Sequence, residues 1–226
     1  MKEPKFFRRY DYDRAKLPNP HLARLDDVTN LEEARQHSGA SIGYPGWNLL
    51  YYLTLSAIDP ERDTTIIETG TNFGSSSIVL AQALVDARVP SGRLHTFEID
   101  QDTFDRARSN IAEAGLAPHV VQHLGDAKAL LPDVVAGLAS IRVAFLDGSH
   151  LVEDAVNEFR SVEAKLEPDA IVVFDNTYLI AEPHEDQRVN GALKEIVDEF
   201  GGNLINLPSV SWYTPGMAVW QRQPFP

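Results

Sequence analysis

The chain has 226 residues, 43% of them hydrophobic, which is enough for one well-packed domain and too little for two large ones. Its 33 acidic residues outnumber its 20 lysines and arginines and no basic run occurs, so nucleic acid and anionic membranes are disfavoured as partners. The chain contains no cysteine, which excludes disulfides, thiolate metal sites and cysteine nucleophiles.

The sequence also lacks the apolar segments that direct a protein to a membrane. No apolar run approaches the roughly 18 to 20 residues of a membrane span, and the N-terminus has no signal-peptide core. These features predict a cytoplasmic protein.

Residues 1–44 differ from the rest of the chain in being polar, interrupted by prolines and without a strong period of their own. We expect them to form an arm or lid that packs on one main domain, residues 45–226. That domain opens with a predicted helix at 45–58, where a proline precedes apolar residues at helical spacing.

From residue 64 onward, short apolar runs alternate with amphipathic segments. The apolar runs predict strands at 64–68, 93–98, 119–124, 141–146 and 170–175. The segments between them predict helices at 75–87, 101–115, 127–137 and 152–166. Buried strands separated by helices indicate an α/β fold with a doubly wound, Rossmann-like, mostly parallel sheet covered on both faces.

The C-terminal part follows a different order. A predicted helix at 190–200 precedes two predicted strands, 203–207 and 217–221, with no helix between them. Two strands joined in this way predict an antiparallel hairpin at one edge of the sheet.

A glycine-containing turn, IIETGTNFGSSS, leads from the first strand of this series into the next helix, with Gly70 and Gly74 framing it. Glycine lets the backbone approach a ligand closely, and the helix N-terminus offers free N–H groups to an anion. The G-x-x-x-G spacing differs from the dinucleotide fingerprint and from the P-loop, which favours a smaller carboxylate or a nucleoside. A tight turn without a ligand is the alternative.

Glu98 ends the next strand of the same βαβ unit. An acidic side chain at this point can accept hydrogen bonds from both hydroxyls of a ribose. Together with the glycine turn, Glu98 predicts a nucleoside site.

Two later strands also end in polar side chains, Asp147 after the fourth predicted strand and Asp175 with Asn176 at the end of the fifth. The carboxyl ends of neighbouring parallel strands meet in one crevice, so these groups should converge. Two carboxylates and an amide oxygen form the hard oxygen set that Mg²⁺ prefers, although either acid alone could cap a helix.

His150 stands three residues after Asp147, in the sequence DGSH. An imidazole with an ordinary pKa near 6.5 suits a general base at neutral pH. The alternative is a structural histidine that is hydrogen-bonded to nearby backbone.

These motifs, taken in order, resemble the class I methyltransferases that use S-adenosylmethionine. The resemblance covers roughly residues 45–221 and rests on E-x-G-x-x-x-G beginning at Glu68, on Glu98, on LGDA at 124–127 and on the two strand-end acids. It implies that Gly70 approaches the methionine portion, with Asn72 and Ser76 near its carboxylate.

The same resemblance places Glu98 at the ribose and Asp126 beside the adenine amino group. Asp126 also directly precedes the helix predicted to start at Ala127, so it is equally suited to an N-cap, and the two roles can coexist.

The acids at 147 and 175 with Asn176 resemble the metal triad of cation-dependent O-methyltransferases of the catechol type, whereas DGSH resembles the macrocin and mycinamicin sugar O-methyltransferases. The resemblance implies Mg²⁺-dependent methylation of a small-molecule hydroxyl, in natural-product biosynthesis, with His150 as base. It leaves open whether the acceptor is a catechol or a sugar and whether the protein is a homodimer.

Two other functions are compatible with such a sheet. A nicotinamide-dependent oxidoreductase is disfavoured by the glycine spacing and because Glu98 lies 28 residues after Gly70, where the dinucleotide fingerprint has roughly 20. A non-catalytic nucleoside-binding protein is the other, since fold does not imply function. Aromatic residues that could line an acceptor pocket, or else pack in the core, are Tyr44, Trp47, Tyr178, Trp212 and Tyr213.

Overall fold

The structure, a computed structural model, describes residues 46–177, 181–208 and 216–222, together with residues 32, 33 and 36. Its α-helices in these long ranges are α1 (Gly46–Ala57), α2 (Ser75–Asp86), α3 (Gln101–Glu113), α4 (Ala127–Ala136), α5 (Val152–Glu163) and α6 (Arg188–Phe200). Its strands are β1 (Thr65–Thr69), β2 (Arg93–Glu98), β3 (Val120–Leu124), β4 (Ile141–Leu146), β5 (Leu166–Asp175), β6 (Asn203–Leu207) and β7 (Met217–Gln221).

The seven strands form one sheet in the order β3-β2-β1-β4-β5-β7-β6. The pairs from β3 to β5 are parallel, and β7 runs antiparallel to both β5 and β6. This arrangement confirms the predicted doubly wound, mostly parallel sheet with an antiparallel C-terminal edge. The order reverses between β1 and β4, which is where ligands bind in open α/β sheets.

Helices cover both faces of the sheet because alternate residues of the central strands point to opposite sides. Val143 and Phe145 of β4 pack in one apolar cluster with α1, α2 and α3. Ala144 and Leu146 pack in a second cluster with α4, α5 and α6. All six residues of β4 are buried, as expected for a strand covered on both faces.

β5 is longer than the sequence predicts. It begins at Leu166, which pairs with Ile141, whereas the prediction placed 166 at the end of a helix and started the strand at 170. The register shifts between Ile141 and Val143, and this irregularity accommodates Glu167 to Asp169. Arg142 forms ion pairs with Glu167 and Asp169, so β4 holds the start of β5 electrostatically.

The predicted N-terminal arm, residues 1–44, lies outside the described residues except for 32, 33 and 36, so the division of the chain stays a prediction. None of the helices within the described ranges is long and apolar enough to cross a bilayer.

Candidate active site

The candidate site lies where β1, β4 and β5 end side by side. Thr69 of β1 pairs with Leu146 of β4, and Leu146 pairs with Phe174 of β5. The residues that follow, including Asp147 and Asp175, therefore come together at the carboxyl edge of the sheet. This is the convergence that the strand-end pattern predicts.

Asp147, His150 and Asn176 form a contact triangle at this edge. The Asn176 amide Nδ2 lies 3.0 Å from Asp147 Oδ1 and 2.9 Å from His150 Nε2, and His150 Nε2 lies 3.3 Å from Asp147 Oδ1. When the amide donates to Nε2, that nitrogen must be unprotonated, which is the form in which an imidazole accepts a proton. Burial lowers the pKa of His150, against the opposing influence of Asp175 and Glu158.

Asp175 is buried, and neither of its carboxylate oxygens has a hydrogen-bond partner among the described residues. Burial and the neighbouring Asp147 raise the pKa of Asp175 well above its ordinary value. Burial, followed by the carboxylate of Glu68, likewise raises the pKa of Asp147. A buried carboxylate beside a half-buried one is unfavourable when both are ionised unless a cation balances them.

The chemistry of this donor set fits a hard divalent cation. Within the described ranges, no group of three or more histidine, aspartate and glutamate side chains is arranged to hold a metal ion. A cation would therefore have to be held by the two carboxylates and the Asn176 oxygen, with water or substrate completing the shell. Because Asn176 directs its nitrogen towards Asp147, its amide would have to rotate to present the oxygen.

Gly70 is required by crowding within the protein. It adopts φ +80°, and a Cβ there would overlap the carbonyl oxygen of Asp147 and lie 2.8 Å from the carbonyl carbon. The sequence pattern attributed this glycine to close approach of a ligand, whereas in the structure the Cα faces the turn after β4. The absence of a side chain at Gly70 thus allows the glycine turn to pack directly on the backbone of Asp147.

We expect Gly70→Ala to lower the free energy of unfolding by about 2–4 kcal/mol, because it adds an overlap to an unfavourable backbone angle. Gly115→Ala is a matched control, since Gly115 has φ +74° with no atom within 4 Å of the added Cβ. The control should cost only about 1–2 kcal/mol. Urea denaturation measures both free energies of unfolding. Equal losses in the two variants would show that the overlap with Asp147 does not contribute to the destabilisation.

The glycine turn and Glu98 are joined by hydrogen bonds. The backbone N–H of Asn72 donates to Glu98 Oε2 at 2.8 Å, and the N–H of Asp100 donates to Oε1 at 3.0 Å. Each carboxylate oxygen retains a lone pair for a further donor such as a ribose hydroxyl. Gly74 adopts φ +86° as the N-cap of α2, and a Cβ added there would lie 3.3 Å from Ile111 and 3.4 Å from Ala107.

Glu68 and Ser76, both predicted to bind the cofactor, are fully buried. The Ser77 hydroxyl donates to Glu68, and burial raises the pKa of Glu68 to about 7. A side chain without accessible surface does not meet a ligand directly, so these two residues lie beneath the turn as its support. Their cofactor contacts stay a prediction that would need a local rearrangement.

The buried Glu68 makes stability depend on pH. Its folded-state pKa is raised, so its stabilising effect is complete below the ordinary pKa of 4.5 and is lost as the pH rises through about 7. We expect the parent to lose about 3 kcal/mol more than Glu68→Gln between pH 4 and pH 8. Urea titrations at both pH values measure the free energies of unfolding. The same change with pH in the parent and in Glu68→Gln would contradict the prediction.

Asp126 is exposed and caps α4, because its Oδ1 accepts from the backbone N–H of Lys128 at 2.9 Å. The capping role is confirmed, and the adenine contact stays a prediction. Trp47 is a core residue of α1 with 2% of its surface exposed. The other aromatic candidates, Tyr44, Tyr178, Trp212 and Tyr213, lie outside the described residues.

The sequence pattern did not indicate two residues of the site, Glu158 and Thr69. Glu158 of α5 is buried and accepts from the hydroxyl of Thr69 at 2.7 Å. Burial raises the pKa of Glu158 to about 7, against hydrogen bonds from Thr69 and the Ser149 backbone that lower it. A glutamate directly before a buried helical phenylalanine carries no signal of such a contact, and its partner is 89 residues away.

The strand order, the glycine turn and the strand-end acids define a class I methyltransferase fold. A family model described as a methyltransferase domain matches residues 67–177. No curated protein matches the chain with significance.

Solved structures with this fold include the O-methyltransferase TomG of Streptomyces achromogenes, which is involved in tomaymycin synthesis and was solved with S-adenosylmethionine. It is 26% identical, with a TM-score of 0.73, over 90% of this chain and 89% of its own. An O-methyltransferase of Bacillus cereus in complex with S-adenosylhomocysteine is 21% identical over 90% and 91%, with a TM-score of 0.71. A methyltransferase of Geobacter sulfurreducens is 17% identical over 92% of each chain, with a TM-score of 0.62.

These comparisons confirm the predicted resemblance to class I S-adenosylmethionine-dependent O-methyltransferases.

Proposed function

We propose that the chain transfers a methyl group from S-adenosylmethionine to a hydroxyl of a small molecule, with a divalent cation such as Mg²⁺ at the strand ends. The observation that carries the proposal is the meeting of Asp147, His150 and Asn176 beside the unpartnered carboxylate of Asp175. The imidazole that we propose as the base and the oxygen donors that we propose for the cation thus lie together next to the glycine turn.

The cation would be held by Asp147, Asp175 and the Asn176 oxygen. It would lower the pKa of a substrate hydroxyl and fix the position of the hydroxyl oxygen. The protein's own contribution is the orientation of these donors by the β1, β4 and β5 ends, and the proton acceptor beside them.

In the proposed transfer, the acceptor oxygen forms a bond to the methyl carbon as the bond from carbon to the sulfonium sulfur breaks. The sulfur leaves as a neutral thioether, and His150 Nε2 takes the hydroxyl proton. No enzyme nucleophile is needed, which agrees with a sequence that lacks cysteine.

Glu98 would hold the ribose of the methyl donor, with the turn from Gly70 to Gly74 around the methionine portion and Asp126 near the adenine. The remaining lone pairs of Glu98, which already accepts from Asn72 and Asp100, suit two hydroxyl donors.

We infer a role in natural-product biosynthesis from the similarity to TomG, which is described as involved in tomaymycin synthesis. The acceptor class that we propose is a vicinal diol or a catechol, whose second oxygen can share the cation with the reacting one.

The test is to incubate the protein with isotopically labelled S-adenosylmethionine and a panel of catechols and vicinal-diol sugars, with Mg²⁺ or with EDTA. We expect a labelled methyl ether on one acceptor class and its loss in EDTA. Label transferred only to nitrogen or carbon, or to no acceptor in the panel, would contradict the proposal.

A further inference from the structure

Glu158 of α5 lies beneath the turn that joins β4 to α5. It is 3% exposed, and its Oε2 accepts a hydrogen bond from Thr69 Oγ1 at 2.7 Å. Thr69 is the last residue of β1. The contact therefore ties a helix on one face of the sheet to the strand end beside the candidate site.

Thr69 extends this contact to Asp147. The backbone N–H of Asp147 donates to Thr69 Oγ1 at 3.1 Å and to the Thr69 carbonyl at 3.2 Å. A hydroxyl has one proton and two lone pairs, so donation to Glu158 leaves the lone pairs of Oγ1 for the Asp147 N–H. Glu158 thereby fixes the orientation of the hydroxyl that holds Asp147.

The next residue of the turn also rests on the carboxylate. A Cβ added to Gly148 would lie 2.5 Å from Glu158 Oε1 and 3.1 Å from Thr69 Oγ1. The backbone of the turn is thus seated directly on Glu158 and Thr69, one residue after Asp147 and two before His150.

Stability alone does not explain a carboxylate in this position. Burying an acid costs the free energy of its lost hydration, and a hydrogen bond from a neutral hydroxyl offsets that cost only in part. What the carboxylate supplies, and an apolar side chain does not, is an oriented acceptor for the Thr69 hydroxyl.

We propose that Glu158 is a positioning residue that acts through Thr69 to fix the turn carrying Asp147 and His150. The inference rests on the proposed function for its catalytic consequence. Its structural part, the ordering of the turn, can be measured without a substrate.

The kinetic test is a double-mutant cycle of Glu158→Met, which removes the acceptor for the Thr69 hydroxyl, and Thr69→Val. Each single change should lower kcat by about 10- to 100-fold, because small displacements of a reacting group have effects of that size. The kcat of the double variant should lie no more than about threefold below that of the less active single variant, since both changes break the same chain of hydrogen bonds. KM for S-adenosylmethionine should stay within about threefold of the parent value, since only the base and the donor set move.

Two further variants separate positioning from general disturbance. Thr69→Ser restores the hydroxyl and should recover most of the kcat lost in Thr69→Val. Glu153→Met makes the same chemical change as Glu158→Met at an exposed position of α5 and should behave as the parent.

The structural test is hydrogen exchange of the backbone amides at 147–150. Exchange should be about tenfold faster or more in Glu158→Met and Thr69→Val, and unchanged in Thr69→Ser and Glu153→Met. Parental exchange in both of the first two variants, or losses in kcat that multiply in the double variant, would overturn the inference. A parent without methyl transfer but with the expected exchange pattern would instead contradict the proposed function.

Discussion

Replacing His150 by alanine is expected to lower kcat by about 10²- to 10⁴-fold, the range that a positioned general base contributes. The affinity for S-adenosylmethionine should not change, because His150 lies with Asp147 and Asn176 rather than with Glu98 and the glycine turn. Single-turnover kinetics and calorimetry measure the two quantities separately.

A structural histidine would give a different result. The His150 side chain is 36% exposed, so its loss should change the free energy of unfolding by less than about 1 kcal/mol. His184→Ala, at an exposed position in the segment before α6, is the matched control and should retain parental kcat. A His150→Ala protein that is less stable but turns over normally would assign His150 to the fold.

Asp175→Asn is expected to remove the cation-dependent part of the activity while making the cation-free protein more stable. The substitution removes the buried one of two neighbouring carboxylates, which should raise the free energy of unfolding in EDTA by about 1–3 kcal/mol. In the parent, Mg²⁺ should raise Tm, because an ion that binds only the folded state stabilises it. In the variant, Mg²⁺ should leave Tm unchanged.

This prediction is specific because Asp175→Asn should stabilise the protein in EDTA and yet abolish its stabilisation by Mg²⁺. Asp133→Asn, on the exposed part of α4, makes the same chemical change away from the site and should follow the parent in both conditions. Thermal melts of the three proteins give the comparison. A parent whose Tm is indifferent to Mg²⁺, or an Asp175→Asn protein destabilised in EDTA, would contradict a cation at Asp147 and Asp175.

The parallel part of the sheet could be predicted because its signal is local. β2 and β4 have the predicted bounds, since each is a short segment with apolar and other strand-forming residues that is flanked by turn residues. β5 could not be predicted in full, because Glu-Pro-Asp at 167–169 has poor strand propensity by itself. Its first residues are held in the sheet by Arg142 of the neighbouring strand, which is a tertiary contact.

The site could be predicted as far as the strand ends specify it. Asp147 and Asp175 follow buried strands, and parallel strands end at one edge, so their convergence is a consequence of topology. Gly70 was recognisable as a special position, but the cause of its conformation, the Asp147 carbonyl, is far away in the sequence. Glu158 could not be recognised as a residue of the site, because the helical pattern around it gives no indication of the hydrogen bond with Thr69.

Calorimetric titration of the protein with S-adenosylmethionine, with NADH as the competing candidate, tests the central claim most directly. We predict that S-adenosylmethionine binds with one site per chain and that NADH gives no saturable heat, because the Gly70 to Glu98 arrangement suits a nucleoside with a carboxylate better than a pyrophosphate. Saturable binding of NADH with none of S-adenosylmethionine would contradict a methyltransferase and favour an oxidoreductase on the same sheet.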